Sequence, residues 1–333
     1  VIASECVELQ GWGGLPVFTM PDADPEANHD WPAGAENPAD VEIPADVEEW
    51  AWRLEVGDYR GLPYPARFDA FLHAVDTTRI SAFIIGNWIT DDDHDRDAAD
   101  VFAPLIAAAD RFPNLRHLFL GDIVAEQNEI SWIHQSDLTP LLRAFPKLLT
   151  FGVRGSENLG WEQRAYPELR ELTFQSGGLP PEVVRAVAGS EFPELTDLEL
   201  YLGDEEYFGG SEIADLAGIL AGAGLPKLRY LGLRDAENAD EVAAAVAHAP
   251  IVARLEVLDL SLGTLGDEGA AALLAGQPLT HLKKLDLHHH FISEPMQERL
   301  REALPGVELD LSGQEEPDDW DDGEEHRFVA VAE

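Results

Sequence analysis

A phrase of the form apolar-Pro-x-Leu-x-x-Leu-x-Leu returns along this chain from its middle to its end, and it constrains the fold more than any other feature. It runs as Phe112-Pro113 with Leu115, Leu118 and Leu120, as Phe192-Pro193 with Leu195, Leu198 and Leu200, and as Leu225-Pro226 with Leu228, Leu231 and Leu233. Each copy is a supersecondary unit that can bury its apolar side only against a neighbouring copy, so the chain must stack. A length of 333 residues then need not mean two domains, because a repeat array grows without closing a core.

Aligning the first apolar position of each phrase gives Ile80, Leu115, Leu148, Leu169, Leu195, Leu228, Leu255, Leu282 and, less regularly, Leu304, in steps of 21 to 35 residues. Steps of roughly 20 to 29 residues are the leucine-rich-repeat range, and the longer ones leave room for insertions. The expected class is α/β: a leucine-rich-repeat solenoid, a horseshoe with a parallel concave sheet and convex helices. Its repeats span 78–311, after an irregular N-terminal cap (1–77) with an acidic Pro-rich loop and before an acidic C-terminal tail (312–333).

Between the strands, apolar residues recur near every 3.6 positions, which predicts helices over 99–110, 139–145, 181–188, 213–221, 241–249, 267–275 and 295–303. Ser211 and Ser293 stand where N-caps are expected, and Asp267, Glu268 and Glu294 place negative charge in first turns. Leu148 to Leu169 is too short for a helix and holds Gly155 and Gly160, so an irregular turn is expected. In the cap, 14–19 and 50–56 read as strands, 65–75 as a helix, and 21–44 as an exposed loop. The acidic tract 314–325 is expected to be mobile, with Phe328 to Val331 returning to cover the last repeat.

Sixty-four acidic against 22 basic residues give a net charge of −42. That charge argues against nucleic acid and membrane surfaces, both of which are bound through Lys and Arg. It reads either as a solvated surface or as a steering field for a cationic partner. No apolar run approaches the roughly 18 to 20 residues of a membrane span. Glu5 and Glu8 sit where a signal peptide would be basic and apolar, and the expected location is cytoplasmic. Cys6, the single cysteine, excludes an internal disulfide and any multi-cysteine metal centre.

The clearest unit, Leu255-Glu-Val-Leu258-Asp-Leu260-Ser-Leu-Gly263-Thr-Leu265-Gly266-Asp267-Glu268-Gly269, resembles the ribonuclease-inhibitor-like subclass of leucine-rich repeats. The Asn or Cys that this subclass places after the strand is Ala236, Gly263 or His290 here, so water or backbone must satisfy that turn. Asn128-Glu129-Ile130-Ser131-Trp132-Ile133, Gln175-Ser176-Gly177-Gly178-Leu179-Pro180 and Asp286-Leu287-His288-His289-His290 resemble a bacterial, mainly actinobacterial, leucine-rich-repeat family. That resemblance implies operon neighbours of the radical-SAM and ATP-grasp enzyme types and no activity for the chain itself.

Side chains alternate along a parallel repeat sheet, so residues between the leucines face the concave side. Over the eight strands from Ile80 to Leu282, seven basic residues (Arg116, Arg154, Arg170, Arg229, Arg234, Lys283, Lys284) meet eight acidic ones (Asp122, Glu171, Asp197, Glu199, Asp235, Glu256, Asp259, Asp286), a net of −1. Either cross-strand pairing or a surface receptive to a partner explains that balance. Equivalent positions on neighbouring strands lie about 4.8 Å apart. One row reads Thr173, Glu199, Gly232, Asp259, Asp286, with Gly232 expected to leave open space, and the next Tyr201, Arg234, Ser261, His288. The candidate binding residues are Glu199, Tyr201, Arg229, Tyr230, Arg234, Asp259, Asp286 and His288.

His288, His289 and His290 beside Asp286 invite a metal reading, but alternation lets only one or two of them meet one ion. A hydrogen-bonded polar strand end is the other reading. Cys6 has no nearby His, and neither a Gly-x-Ser-x-Gly elbow nor a phosphate loop is present. Trp50, Trp52, Trp88, Trp132 and Trp161 read as core or, alternatively, as a recognition stripe. The expected function is a non-catalytic scaffold that binds a protein or peptide on its concave face, without cofactor. An operon-encoded enzyme is one such partner, which would make the chain its accessory subunit. The alternative is a metal-dependent enzyme using Asp259, Asp286 and His288.

Overall fold

The computed structural model describes residues 7–21, 42–56, 63–89, 97–319 and 325–332. Cys6, most of the 21–44 loop and part of the 314–325 tract lie outside them. The chain divides into two compact units, one of Val7–Gly160 and one running from Trp161.

In the first unit a hairpin of β1 (Gly11–Trp12) and β2 (Leu15–Thr19) leads into β3 (Ala51–Leu54), β4 (Ala82–Gly86), β5 (His117–Asp122) and β6 (Thr150–Arg154). From β2 onward each strand pairs in parallel with the next. Helices α1 (Tyr64–Ala74), α2 (Ala99–Ala107) and α3 (Thr139–Ala144) connect them. In the second unit β7 (Glu171–Gln175), β8 (Asp197–Gly203), β9 (Tyr230–Ala236), β10 (Val257–Asp259), β11 (Lys284–Asp286) and β12 (Glu308–Asp310) pair in parallel in chain order. Their connections carry α4 (Pro181–Ala188), α5 (Ala217–Ala221), α6 (Ala239–Val246), α7 (Asp267–Ala275) and α8 (Glu294–Ala303). This is the α/β leucine-rich-repeat solenoid class: parallel strands in sequence order, each returned by a helix or turn.

The repeated leucines build the core. In the phrases beginning at Leu115, Leu195, Leu228, Leu255 and Leu282 none of the three leucines is more than 3% exposed. Leu198, Leu231, Leu258, Leu285 and Leu309 stand in one register across β8 to β12. Each fully buried leucine is worth about 1.5 to 3 kcal/mol at most, and the column repeats that contribution on each strand from β8 to β11, Leu309 on β12 being only half-buried.

Where the Asn or Cys ladder is missing, backbone and one histidine replace it. The Ala236 carbonyl accepts from Thr264 N (3.1 Å). His290 Nδ1 accepts from Ile292 N (3.0 Å) while its Nε2 lies 3.1 Å from Leu311 O, and burial lowers the His290 pKa, favouring the neutral ring that can accept. Just before these positions Asp235, Leu262 and His289 all adopt left-handed backbone (φ 57°, 69° and 52°). Their amides reach Ser261 O, His288 O and Ser312 O, so the ladder continues past the strand ends in a conformation that costs each residue about 1 kcal/mol or more.

Several expectations are corrected. The helix expected over 213–221 begins only at Ala217, because Glu212 N donates to the Asp215 carboxylate and Asp215 N to Glu212 O, a tight turn rather than a helical one. Ser211 therefore caps nothing. Ser293 does occupy the N-cap position of α8, but its hydroxyl donates to Asp267 Oδ2 (2.7 Å), tying α8 to α7. Trp52, Trp88 and Trp161 are core, whereas Trp132 is 59% exposed. The returning C-terminal segment runs over the ends of β9 to β11 and not over β12: Phe328 packs on His289 and Phe291, Ala330 N donates to Leu262 O and Val331 N to Asp235 Oδ1. Val329 and Val331 are buried there.

The largest correction concerns the strand face of the first unit, which is not open. Ala51, Ala82, Ile84 and Phe119 point to it, and Leu9, Trp12, Leu15 and Val17 pack over them. A Cβ at Gly152 would run into Phe119 and Trp12, so a glycine is required at that strand position. Asp122 and Arg154, expected as surface charges, are each 1% exposed. Asp122 pairs with Arg53 and accepts from Leu9 N (3.1 Å), and Arg154 donates to Ile123 O (2.7 Å) and Val7 O (3.0 Å).

Candidate binding face

The strand face that stays polar is that of β7 to β12. Parallel pairing places Thr173, Glu199, Gly232, Asp259, Asp286 and Asp310 in one row, and Tyr201 opposite Arg234 in the row beside it. Period-two alternation brings them to one side, between leucines that point to the core.

The space over Gly232 is filled. Its missing side chain is what lets Tyr230 lie across it: a Cβ there would come within 2.8 Å of the Tyr230 hydroxyl. That hydroxyl donates to Glu199 Oε2 (2.6 Å) and lies 3.1 Å from Asp259 Oδ2. Arg234 closes the cluster. Its Nε donates to Ser261 Oγ (2.9 Å) and lies 3.4 Å from Asp259 Oδ2, its NH1 donates to the Tyr201 hydroxyl (2.9 Å), and its guanidinium sits over the Tyr201 ring at 4.9 Å. Burial alone would lower the Arg234 pKa, but Tyr201, Asp259 and Glu199 outweigh it and fix the charge. Burial raises Glu199, with Arg234 and the Tyr230 hydrogen bond opposing, and burial with the two carboxylates raises Tyr230. Tyr201 is 2% exposed and offers its ring to Arg234 rather than to solvent.

Along the same row one turn is built three times. Asp259 Oδ1 accepts from Ser261 N (3.0 Å) and Oγ (2.5 Å); Asp310 Oδ1 accepts from Ser312 N (3.1 Å) and Oγ (2.7 Å). Between them Asp286 Oδ1 accepts from His288 N (3.1 Å) and lies 2.6 Å from His288 Nδ1, the imidazole standing where the flanking turns have a serine. The Lys284 ammonium reaches Asp286 Oδ2 (2.7 Å) and comes within 4.0 Å of Asp310 Oδ2. Burial would raise Asp286, but the hydrogen bonds from His288 and Lys284 override it and hold its carboxyl below the usual range. The Ser312 hydroxyl does the same for Asp310. Asp259 and Asp286 thus do not share one cation: Arg234 serves the first and Lys284 the second.

Asp286, His288 and Asp310 are the described residues that could share a metal ion, their ligand atoms all lying within 4.8 Å of one another. Asp259, expected in that set, is turned to Arg234 and Ser261 instead. His289 and His290 leave the face: His289 Nε2 meets Phe328 O (3.2 Å), and His290 is engaged in the turn described above. Arg229, in the flanking row, is 59% exposed at its side chain and 3.7 Å from Glu256, which Lys283 also pairs at 2.5 Å. Lys284, counted from sequence among the basic residues of the face, and Asp310 belong to the cluster but not to the candidate binding residues. The signal was present, because Asp310-Leu311-Ser312 repeats Asp259-Leu260-Ser261 after a shortened step.

Among solved structures, a protein of Bacteroides fragilis determined by a structural genomics consortium is 31% identical, covers 79% of this chain and 75% of its own, and superposes with a TM-score of 0.71. An internalin of Listeria monocytogenes is 14% identical over 79% of this chain and 74% of its own, with a TM-score of 0.37, too distant a superposition to bear on the fold. No protein-family model matches the chain, and no curated protein does.

Proposed function

This chain belongs to the same family as the Bacteroides fragilis protein, and we propose that it is a non-catalytic scaffold that binds a protein or peptide on the strand face of β7 to β12. One observation carries the reading. The first unit covers its own strand face with the 9–17 hairpin, whereas the second leaves Thr173, Arg229, Tyr230, Lys283, Lys284 and His288 at least partly exposed on a face whose carboxylates are already neutralised. A partner meeting that face displaces water from satisfied groups instead of stranding charges, the condition under which a few large side chains can dominate affinity. Tyr230 and Arg229 are the exposed anchors; Tyr201 and Arg234 act beneath them, holding Tyr230 in place. An operon-encoded biosynthetic enzyme is the partner class this reading favours. A photo-crosslinker placed at Thr173, Arg229 or Lys283 should trap one discrete protein from native extract, and a crosslinker at Glu298 on α8 should not; equal trapping from both faces contradicts the proposal.

A second reading rests on the cluster of Asp286, His288 and Asp310, whose carboxylates and imidazole suit a divalent ion that activates water. Lys284, 2.7 Å from Asp286, already supplies a positive charge there. Metal analysis separates the two: a stoichiometric ion lost on His288→Ala favours this reading, and its absence favours the scaffold.

A further inference from the structure

We propose that the C-terminal segment 328–332 is a releasable strap, latched by the Asp235 carboxyl in its neutral form and let go when that carboxyl ionises. The segment crosses the strand ends turn by turn. Phe328 O lies 3.2 Å from His289 Nε2, Ala330 N donates to Leu262 O (2.8 Å), Val331 N donates to Asp235 Oδ1 (2.9 Å), and a Cβ at Gly177 would come within 2.5 Å of Ala332 O. His289, Leu262 and Asp235 hold the same left-handed position on successive turns, so the strap meets a carboxyl where the next turn presents a leucine.

That carboxyl is fully buried, and its Oδ2 has no hydrogen-bond partner among the described residues. The charged groups around it are committed elsewhere or have the wrong sign. Arg234, its neighbour on β9, is turned to Ser261, Tyr201 and Asp259, and Arg327, just before the strap, donates to Asp240 Oδ2 (2.9 Å) and Thr264 O (3.1 Å). Asp204, just past β8, adds a second negative charge, and His289 meets the strap at Phe328. Burying an ionised carboxyl without a cation is costly, so the seated strap favours the protonated acid. Burial accordingly raises the Asp235 pKa well above the usual carboxylate range, outweighing the Val331 and Ala330 amides and Arg234.

Lifting the strap gives the carboxyl to water and returns it to the ordinary aspartate value of about 4. A group raised in the closed form contributes closing free energy that is full below that open value and is lost as pH rises through the closed one. Release therefore sheds a proton. It frees an apolar segment that includes Val329 and Val331, both buried while the strap is seated, and uncovers the carboxyl ends of β9 and β10. The latch is separate from the strand face of β7 to β12 and does not depend on it.

Hydrogen exchange of the full chain from about pH 5 to about pH 9, with each rate divided by that of an unstructured amide at the same pH, tests it. Below the raised value of the closed form, opening that sheds one proton should cost the Ala330 and Val331 amides about tenfold in protection per pH unit. Asparagine keeps an acceptor, tolerates left-handed backbone and cannot ionise, so Asp235→Asn should hold both amides protected to the top of the range. Amides within β8 and β9 should stay protected throughout. Protection of Ala330 and Val331 that does not change with pH in the wild-type chain overturns the proposal, whether or not the variant folds. A slope that persists in Asp235→Asn also overturns it, with His289→Gln then showing whether the imidazole carries it. Loss of protection in β8 and β9 in step with the strap overturns it too, since the whole unit would be unfolding.

Discussion

The Trp12 ring meets Phe119 edge-on, with centroids 5.0 Å apart. Through that contact the chain's own hairpin occupies the strand face of the first unit, and Gly152 is required beneath it. Trp12→Ala should destabilise the unit by about 2 kcal/mol, less than full burial of a tryptophan would give because Trp12 is only half-buried. Denaturant unfolding followed by hydrogen exchange of β4 to β6 checks this, and unchanged exchange there would show that the hairpin is not holding the face closed.

Arg234 is a structural cation before it is a surface one. Arg234→Ala leaves Glu199 and Asp259 facing each other around Tyr230 and should cost about 3 kcal/mol, since removing one partner of a buried pair strands the other. Lysine should rescue little, because it can neither stack on Tyr201 nor direct one donor to Ser261 and another to the tyrosine. Tyr230→Phe should cost about 2 kcal/mol, the worth of one hydrogen bond to a charged acceptor. Thermal melts of the three variants give the ranking, and a fully stable Arg234→Ala would refute the network. Arg229 and Lys283 are therefore the better probes of binding.

Burial pushes Glu55 up to about 7, with Arg53 opposing and Glu8 and Asp122 adding to the rise. A carboxyl raised in the folded state contributes stability that is full below its unfolded range near 4 and is lost as pH rises through about 7. Wild-type stability should fall between about pH 4 and about pH 7, and Glu55→Gln should flatten that fall. Urea midpoints at the two pH values decide; an equal slope in the variant would assign the effect to another group.

The C-terminal segment tests where its contacts lie. Replacing Val329 and Val331 with serine should destabilise the second unit by about 3 kcal/mol and raise exchange at Asp235 and Leu262, whose backbone or side chain it caps. Exchange in β12 should not respond. A response confined to β12 would instead fit a segment lying over the last repeat.

Much of the second unit was legible in its sequence. The Leu-x-x-Leu-x-Leu spacing gives strand order, parallel register and the row of Glu199, Asp259 and Asp286, because side chains alternate strictly along a strand. What the spacing does not carry is which face a distant segment covers: Trp12 lies over 100 residues before the Phe119 it packs on, and nothing local marks Ala82 and Ile84 as buried on both sides. Charge counting failed at Asp122, Arg154 and Asp235 for the same reason, since all three are buried by chain from outside their repeats. Gly232 reads as open space from composition alone, yet the side chain two positions earlier folds into it. Asp310 needed only the repeated Asp-Leu-Ser phrase to be followed one strand further, and Lys284 was already counted on that face.

The account rests on an open strand face in the second unit and a closed one in the first. Hydroxyl-radical footprinting of the chain alone and with its captured partner reads both at once. Phe119 and Ile84 should be protected in either state, while Tyr230 and His288 should react in the chain alone and become protected only in the complex. Protection of the α4 to α8 side chains with Tyr230 and His288 unchanged would contradict it.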